Sequence, residues 1–269
     1  MRVPRALLAS CGPAVLLSGC YWLAQYGDLS SAYGDGDAQV EGGGDTQPAP
    51  DAGPPFCPAD AGALAYCMDF DGVDVQALGL VVNDGSAASI VNGPYVSPPS
   101  SLRVTLEGPS SYGRYAVSLP LRPTTSRLEF EIQGIGVDEG VTTLGVTLVD
   151  ASTQTSRALN VVVAPDGSFQ VQEFFAFADG GTAISPHAWY HAEGGASSAW
   201  YHVVLTLAAD DATHTYTSGL TVNGEVIEDG QSLSLPWAQG DVTVNVGVTF
   251  AAEGGTDFYF DNVRADFTP

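Results

Sequence analysis

Apolar and polar residues alternate in short segments over residues 57–269, and Gly, Pro, Asn and Asp separate these segments. Alternation with a period of two places apolar side chains on one face of a strand, and no stretch of a dozen residues has the apolar spacing of a helix. Eleven strands are predicted, at residues 65–70, 101–106, 114–121, 127–132, 142–149, 157–163, 169–175, 201–207, 216–222, 242–250 and 257–265. So many short strands predict one all-β, two-sheet antiparallel sandwich.

Two turns are predicted from residues that tolerate unusual backbone conformations. Asn223-Gly224 lies between two alternating segments, and a type I′ hairpin turn needs positive φ at both of its central residues. Pro165-Asp166-Gly167 separates two apolar segments in a similar way. Both positions are therefore expected to join neighbouring antiparallel strands.

Residues 20–56 lack this alternation. Glycine, aspartate and proline dominate the segment, with a glycine run at 42–44 and several prolines between 48 and 55. Such a composition cannot bury enough apolar surface to offset the entropy lost on ordering. We expect a disordered, flexible acidic tether that holds a folded domain, residues 57–269, away from its anchor.

Residues 1–19 have the composition of an export signal. Arg2 and Arg5 precede a short apolar run that ends in Leu17-Ser18-Gly19-Cys20. This tetrad resembles the lipobox of bacterial lipoproteins, which implies that Cys20 becomes the lipidated first residue. An ordinary secretory signal, or a short hydrophobic segment with an incidental cysteine, is the alternative. Tyr21, rather than aspartate, follows Cys20; by resemblance to the bacterial sorting rule this implies the outer membrane of a Gram-negative bacterium.

The charge of the chain excludes several classes of partner. It has 31 acidic residues, eight arginines and no lysine, for a net charge of −23. Nucleic-acid binding is not expected, because neutralising phosphates needs clustered Lys or Arg. Docking on anionic lipid is disfavoured for the same reason, so membrane contact is expected through the lipid anchor. Repulsion between copies favours a monomer, and the negative charge attracts divalent cations.

Two of the four cysteines remain for the folded domain. Cys11 lies in the segment that would be removed, and Cys20 would carry lipid. Cys57 and Cys67 are then predicted to form one disulfide in an oxidising compartment. Metal ligation is the alternative, but the pair has no histidine nearby, as a zinc site would require.

Four short motifs occur in a characteristic order along the domain. They are Ser101-Leu102-Arg103-Val104, Trp200-Tyr201-His202-Val203, the Asn223-Gly224 turn and Phe260-Asp261-Asn262-Val263. This series resembles the concanavalin A-like lectin/glucanase superfamily, especially its laminin G-like members. The resemblance implies a jelly roll of two antiparallel sheets, one of them concave. It leaves function open, because the superfamily includes lectins, glycosidases, lyases and adhesion modules.

The first candidate for chemistry is the pair Glu129 and Glu131 on one predicted strand. Alternate residues share a face of a strand, and two carboxylates are what a retaining glycosidase needs. The motif resembles that of the superfamily's glucanases, but Gln133 stands where one form of it has the acid/base, and an amide cannot transfer that proton. In the alternative interpretation this is an ordinary strand with its acidic residues facing water.

The second candidate is a structural calcium ion. Asp69, Asp71 and Asp261 lie in or beside the first and last predicted strands, and calcium prefers carboxylate and carbonyl oxygens. These positions look similar to the ion sites of related β-sandwich carbohydrate-binding modules. In the alternative, Asp71-Gly72 is a turn and Asp261 accepts hydrogen bonds from a neighbouring loop.

The third candidate is a long loop predicted between residues 175 and 200, which contains His187, Trp189, Tyr190 and His191. Exposed Trp and Tyr rings offer flat apolar faces to sugar C–H groups. The alternative is that this loop packs onto the sandwich as a hydrophobic plug. The two histidines have helical zinc spacing, but Pro186 and the following glycines favour a loop, and no third ligand is evident.

Taken together, the sequence favours an envelope lipoprotein whose jelly roll recognises a glycan or protein surface without catalysis, through the segment around Trp189. A glycoside hydrolase or polysaccharide lyase with an atypical site is the alternative, with Glu129 and Glu131 as its first candidates. A purely structural envelope protein is the third hypothesis.

Overall fold

The computed structural model describes residues 56–57, 66–72, 80–82, 86–108, 112–119, 124–135, 141–150, 155–163, 168–176, 182–190, 199–210, 212, 215–236, 242–248, 250–251 and 255–268. Within these ranges the strands are β1 (Tyr66–Met68), β2 (Val81–Val82), β3 (Ser86–Val91), β4 (Ser101–Leu106), β5 (Gly113–Leu119), β6 (Thr125–Ile135), β7 (Val141–Asp150), β8 (Thr155–Val163), β9 (Phe169–Ala176), β10 (Thr182–Tyr190), β11 (Tyr201–Asp210), β12 (Thr215–Val222), β13 (Glu225–Pro236), β14 (Val242–Val248), β15 (Phe250–Ala251) and β16 (Thr256–Thr268). None of the residues described forms a helix that could cross a membrane.

The strands form two antiparallel sheets that pack face to face. Sheet A has the order β13-β12-β11-β6-β16-β4-β3, and β1 also pairs with β16. Sheet B has the order β10-β9-β8-β7-β14-β5-β2, and β15 also pairs with β7. The chain crosses between the sheets several times, for example from β4 to β5 and from β5 to β6. The fold is therefore an all-β jelly-roll sandwich, as predicted.

The space between the sheets is filled by the apolar residues of the alternating pattern. The largest fully buried side chains are Tyr115, Phe70, Phe130, Phe169, Phe258 and Phe260. In β6, Leu128, Phe130 and Ile132 are all at most 2% exposed. Removal of this apolar surface from water is the main force that holds the two sheets together.

All eleven predicted strands are confirmed, with ends that agree to within three residues and with the predicted strand at 242–250 divided into β14 and β15. The prediction missed β2, β3, β10 and most of β13. The Asn223-Gly224 turn is confirmed, because φ is 50° at Asn223 and 81° at Gly224. Residues 165–167 are not described, but Val163 pairs with Phe169, as a hairpin at that position requires.

The predicted disulfide between Cys57 and Cys67 is confirmed, with the two Cα atoms 5.5 Å apart. Cys67 lies in β1, where it is the Cα partner of Arg264 in β16. The bond therefore ties the start of the domain to its last strand. The predicted export signal, Cys20 and the predicted tether up to residue 55 lie outside the described residues.

Breaking this disulfide should destabilise the domain. The chain-entropy model gives a loss of about 3 kcal/mol in the free energy of unfolding for so short a loop. We expect this loss in urea denaturation on adding a reductant, and also in the Cys57→Ser/Cys67→Ser variant. The variant should not respond to reductant, and equal stability of oxidised and reduced wild type would contradict the prediction.

Candidate functional site

Glu129 and Glu131 lie on the outer face of sheet A and flank His202 of the neighbouring strand β11. His202 Nδ1 is 2.8 Å from Glu131 Oε1, and His202 Nε2 is 3.3 Å from Glu129 Oε1. The register of β6 with β11 makes this contact, since His202 is the Cα partner of Glu131. All three side chains are partly exposed.

The His202 ring occupies the space between the two carboxylates. A retaining glycosidase needs that space for the glycosidic oxygen, between carboxyl groups about 5–5.5 Å apart. Arg127 also holds Glu129, with Nη2 2.8 Å from Oε2. The cluster is therefore an ion-pair network on the outside of a sheet, which agrees with the interpretation of an ordinary strand. Gln133, expected to face water with the two glutamates, is instead buried.

Asp261 in β16 is fully buried and holds the loop between β3 and β4, residues 92–100, here called the clamped loop. Its Oδ2 accepts hydrogen bonds from the backbone N–H groups of Val96 and Ser97, both at 2.8 Å. Its Oδ1 accepts the backbone N–H of Asn262 at 2.8 Å. The Ser97 hydroxyl donates to Asn262 Oδ1 at 2.7 Å. These contacts fix the loop to the centre of sheet A.

A bulge in β16 produces this arrangement. The register with β6 shifts between Asp261 and Arg264, and Asn262 has φ of 51°, in the left-handed region that asparagine tolerates. Burial raises the pKa of the Asp261 carboxyl to about 6, although the hydrogen bonds from Ser97, Val96 and Asn262 act to lower it. The clamp therefore keeps a carboxylate in a place where its charge is poorly solvated.

The three aspartates predicted to bind calcium do not form a ligand set. Asp261 is engaged by the clamped loop, Asp71 Oδ1 accepts the backbone N–H of Ser100 at 3.0 Å, and Asp69 Oδ1 accepts that of Asp71 at 3.3 Å. Across the described ranges, no group of three or more His, Cys, Asp or Glu side chains could hold a metal ion. Asp261 thus serves a neighbouring loop, as the alternative interpretation expects. Structural calcium stays a prediction without an assembled ligand set.

A row of amide residues crosses the outer face of sheet B. The register places Gln172 of β9 beside Asn160 of β8, Asn160 beside Gly145 of β7, and Gly145 beside Asn245 of β14. The residues before and after Asn160 and Asn245 belong to the core, so these two amides lie on the opposite face. We call Gln172, Asn160 and Asn245, with Gln170, the amide row.

The members of the amide row differ in exposure. Asn160, Gln170 and Asn245 are buried, whereas Gln172 is half-buried. Gln172 Nε2 donates a hydrogen bond to Gln170 Oε1 at 2.7 Å. The row is therefore most accessible at its β9 end, beside the edge strand β10.

The predicted aromatic loop is wrong for residues 182–190, because this segment is the edge strand β10. His187, Trp189 and Tyr190 lie in it, and a bulge separates His187 from Trp189. Small residues and Pro186 obscure the alternation in the sequence. Proline is tolerated here because an edge strand needs ladder hydrogen bonds on one side only.

The register of β10 with β9 brings the predicted aromatic segment to the amide row. Trp189 is the Cα partner of Gln170, and Tyr190 is the Cα partner of Phe169. His187 pairs with Val171, before the bulge. His191 lies outside the described residues. Three of the four residues predicted to bind a ligand thus belong to one strand at the edge of sheet B.

The amide row and the position of His202 were not predicted, and the loop held by Asp261 was expected only in the alternative to calcium, without its residues. Asparagine inside the apolar segment Leu159-Asn160-Val161 was an available signal, since a buried amide in a strand is unusual. The clamped loop has a weaker signal in its density of proline. His202 could not be placed, because its contacts depend on a strand far away in the sequence.

No protein-family model and no curated protein matches this sequence. Among solved structures, the chain is similar to a mutant of alginate lyase Aly36B in complex with alginate trisaccharide (TM-score 0.48, 13% identity, 76% of this chain and 98% of that chain). It is also similar to the cellulose induced protein Cip1 (TM-score 0.48, 14% identity, 74% and 96%). A third is the CBM2 module of Lactobacillus casei BL23 phage J-1 evolved Dit (TM-score 0.46, 10% identity, 75% and 94%). At these scores the likeness carries no argument about ligand or activity.

The raised pKa of Asp261 predicts a pH-dependent contribution to stability. The folded state holds the proton more tightly than the unfolded state, whose pKa is near 3.8, so the contribution is present below that pH and is lost as the pH rises through about 6. Asp261→Asn cannot titrate at this position. We therefore expect the stability of wild type relative to Asp261→Asn, measured by urea denaturation, to fall between pH 4 and pH 7.

Other carboxylates titrate in both proteins, so their contributions cancel in this comparison. A difference in unfolding free energy that stays constant from pH 4 to pH 7 would show that Asp261 titrates at its ordinary pKa.

Proposed function

We propose that this protein is an exported envelope lipoprotein whose jelly-roll domain binds an uncharged glycan without catalysis. The binding site is the outer face of sheet B, at the β9–β10 end of the amide row. The observation that supports it is the amide row itself, a line of neutral polar side chains beside the strand that carries Trp189 and Tyr190.

The chemistry of the row fits sugar hydroxyls. Each Asn or Gln side chain offers two N–H donors and a carbonyl acceptor, so it can bind a hydroxyl in either role. Neighbouring strands lie about 4.8 Å apart, and the row carries an amide on three of four neighbouring strands. Gln172, the half-buried member of the row, is the amide that a sugar at this edge would meet.

Of the two aromatic residues in β10, Trp189 is the one in register with the amide row, whereas Tyr190 pairs with the core residue Phe169. Gln172 is half-buried, and the adjacent strand β10 brings Trp189 into register with Gln170. An indole ring at this edge would supply the flat apolar surface on which sugar C–H groups rest. Amides for hydroxyls and a ring for the apolar face are the two components of such a site.

The outer face of sheet A is a poorer choice. Its charged groups pair with one another: Arg103 with Asp257 at 2.8 Å, Arg127 with Glu129 at 2.8 Å, and Arg264 with Asp266 at 2.7 Å. An uncharged ligand would have to replace water on groups that already have ionic partners. The network around Glu129 and Glu131 therefore favours neither binding of such a ligand nor hydrolysis.

We further propose that the domain belongs to the concanavalin A-like superfamily. All four motifs that carry the resemblance lie in sheet A. Ser101-Leu102-Arg103-Val104 begins β4, and Trp200-Tyr201-His202-Val203 leads into β11. Asn223-Gly224 joins β12 to β13, and Asp261-Asn262 forms the bulge of β16. This shared location supports the proposal, since it gives each motif a place in one sheet.

The binding proposal predicts that truncating Gln172 or Trp189 weakens glycan binding. We expect Gln172→Ala and Trp189→Ala each to raise the dissociation constant about tenfold, since one or two hydrogen bonds or a stacking contact contribute roughly 1–1.5 kcal/mol. The test is affinity electrophoresis of the full-length protein in detergent, through gels that contain β-glucan, mannan or dextran. Alginate serves as the anionic comparison and should retard the protein least, because the chain is strongly acidic.

Gln231→Ala is the matched control, because Gln231 is an exposed glutamine of β13 in sheet A. It should bind as wild type does, and a melting curve for each variant checks that the domain is folded. Binding that survives both sheet B substitutions would refute the site. Release of reducing ends that disappears in both Glu129→Gln and Glu131→Gln would instead support the enzyme alternative.

The anchor proposal predicts lipid on Cys20. Expressed in a Gram-negative host with labelled palmitate, wild type should incorporate label and sediment with outer membranes. Cys20→Ser should do neither, because the residue that accepts the lipid is absent. Label that persists in Cys20→Ser, or unlabelled wild type, would refute the proposal.

A further inference from the structure

The clamped loop is compact and its ends are adjacent. Residues 92–100 connect β3 and β4, and Val91 and Ser101 at the ends of these strands are Cα partners. A loop of this length with closely spaced ends is an Ω-loop, a type that often carries function.

The loop backbone is held at several points. Asp261 accepts the N–H groups of Val96 and Ser97, and Asp71 accepts that of Ser100. The Ser101 hydroxyl donates to the Pro94 carbonyl at 2.6 Å. Prolines at 94, 98 and 99 restrict φ further. The loop therefore keeps little conformational freedom that binding would remove.

These hydrogen bonds and prolines fix the loop without burying it in the core. All of residues 92–99 are described, and none is buried. Tyr95 is 36% exposed and Val96 is 43% exposed, and both are among the exposed large hydrophobic residues of the described chain. The loop also contains no charged residue, although the protein has a net charge of −23. An aromatic and an aliphatic side chain are thus presented together on a neutral, rigid support.

Packing of apolar side chains does not explain why the buried carboxylate of Asp261 is kept. The buried carboxylate of Asp261 is poorly solvated at neutral pH, which disfavours its charged form. The loop that it holds buries no apolar side chain that would offset this penalty. Rigidity of an exposed loop benefits binding, because ordering has been completed before the ligand arrives. The arrangement is that of a recognition loop.

The small size and the lack of charge of the surface formed by Tyr95 and Val96 indicate which class of ligand it can bind. A stable protein interface needs about 800 Å² from each partner, far more than two partly exposed side chains offer. A single sugar ring fits this scale, and its C–H face complements an aromatic ring. We propose that the clamped loop is a second carbohydrate site, in which an uncharged sugar ring stacks on Tyr95 beside Val96. The inference rests on the proposed function for the class of ligand, and on separate residues for the site.

Binding of β-glucan, mannan and dextran to the full-length protein in detergent tests this inference. We expect Tyr95→Ala to weaken binding of the recognised polymer about three- to tenfold, as loss of one stacking contact implies. Tyr95→Phe keeps the ring and should stay within about twofold of wild type. Val226→Ala removes a 65% exposed apolar side chain from β13 and should have no effect. Tyr95 is exposed, so all three variants should melt as wild type does.

The same gels separate the two sites. Weaker binding in Tyr95→Ala supports the loop site, whatever Gln172→Ala does. Unchanged binding in Tyr95→Ala with weaker binding in Gln172→Ala overturns the loop site and leaves the sheet B proposal standing. The reverse result overturns the sheet B site alone. An equal loss in Tyr95→Phe and Tyr95→Ala would refute stacking, and no retardation by any of the polymers would overturn both proposals.

Discussion

The pairing of β16 with three other strands is the constraint on which the rest of the structure depends. It pairs with β6, β4 and β1, so the last strand of the chain lies at the centre of sheet A. Because β1 carries the disulfide and β4 follows the clamped loop, β16 also fixes the start of the domain. Its bulge inserts one residue, and this lets Val263 and Ala265 return to the core after Phe260. Asp261 lies at the start of that bulge, and its carboxylate accepts the hydrogen bonds that hold the clamped loop.

The sequence predicts most of the strands because alternation is local. β4 and β6 each have large apolar residues at every second position, and burial follows that pattern. The strands that escaped prediction lie mainly at sheet edges, where one flank has no partner and the apolar pattern can be weaker. β3 has only two large apolar residues in Ser86–Val91, and β10 contains Pro186 among small residues. In both, tertiary pairing decides the structure where local propensity is weak.

The sites are less predictable because they depend on register. His202 and Glu131 are 71 residues apart in the sequence, and Val96 and Asp261 are 165 apart. Alternation assigns each residue to a face, but it does not encode which strands become neighbours or how far one is shifted along the other. Glu129 and Glu131 were therefore placed correctly on one face, while the histidine between them was not foreseen. The three aspartates of the calcium prediction do not form a ligand set for a related reason, since Asp261 accepts hydrogen bonds from the clamped loop.

The outer faces of the two sheets carry different polar groups. Packing requires only the inner face of each sheet to be apolar, so the outer faces are free to differ. Sheet A carries paired charges, and exposed ion pairs of this kind contribute at most about 1 kcal/mol each, so their main effect is to keep that surface hydrated. Sheet B carries neutral amides, which lose less hydration free energy than charges when a ligand covers them. In a protein this acidic, the amide row is where the proposed uncharged ligand would bind with a small desolvation cost.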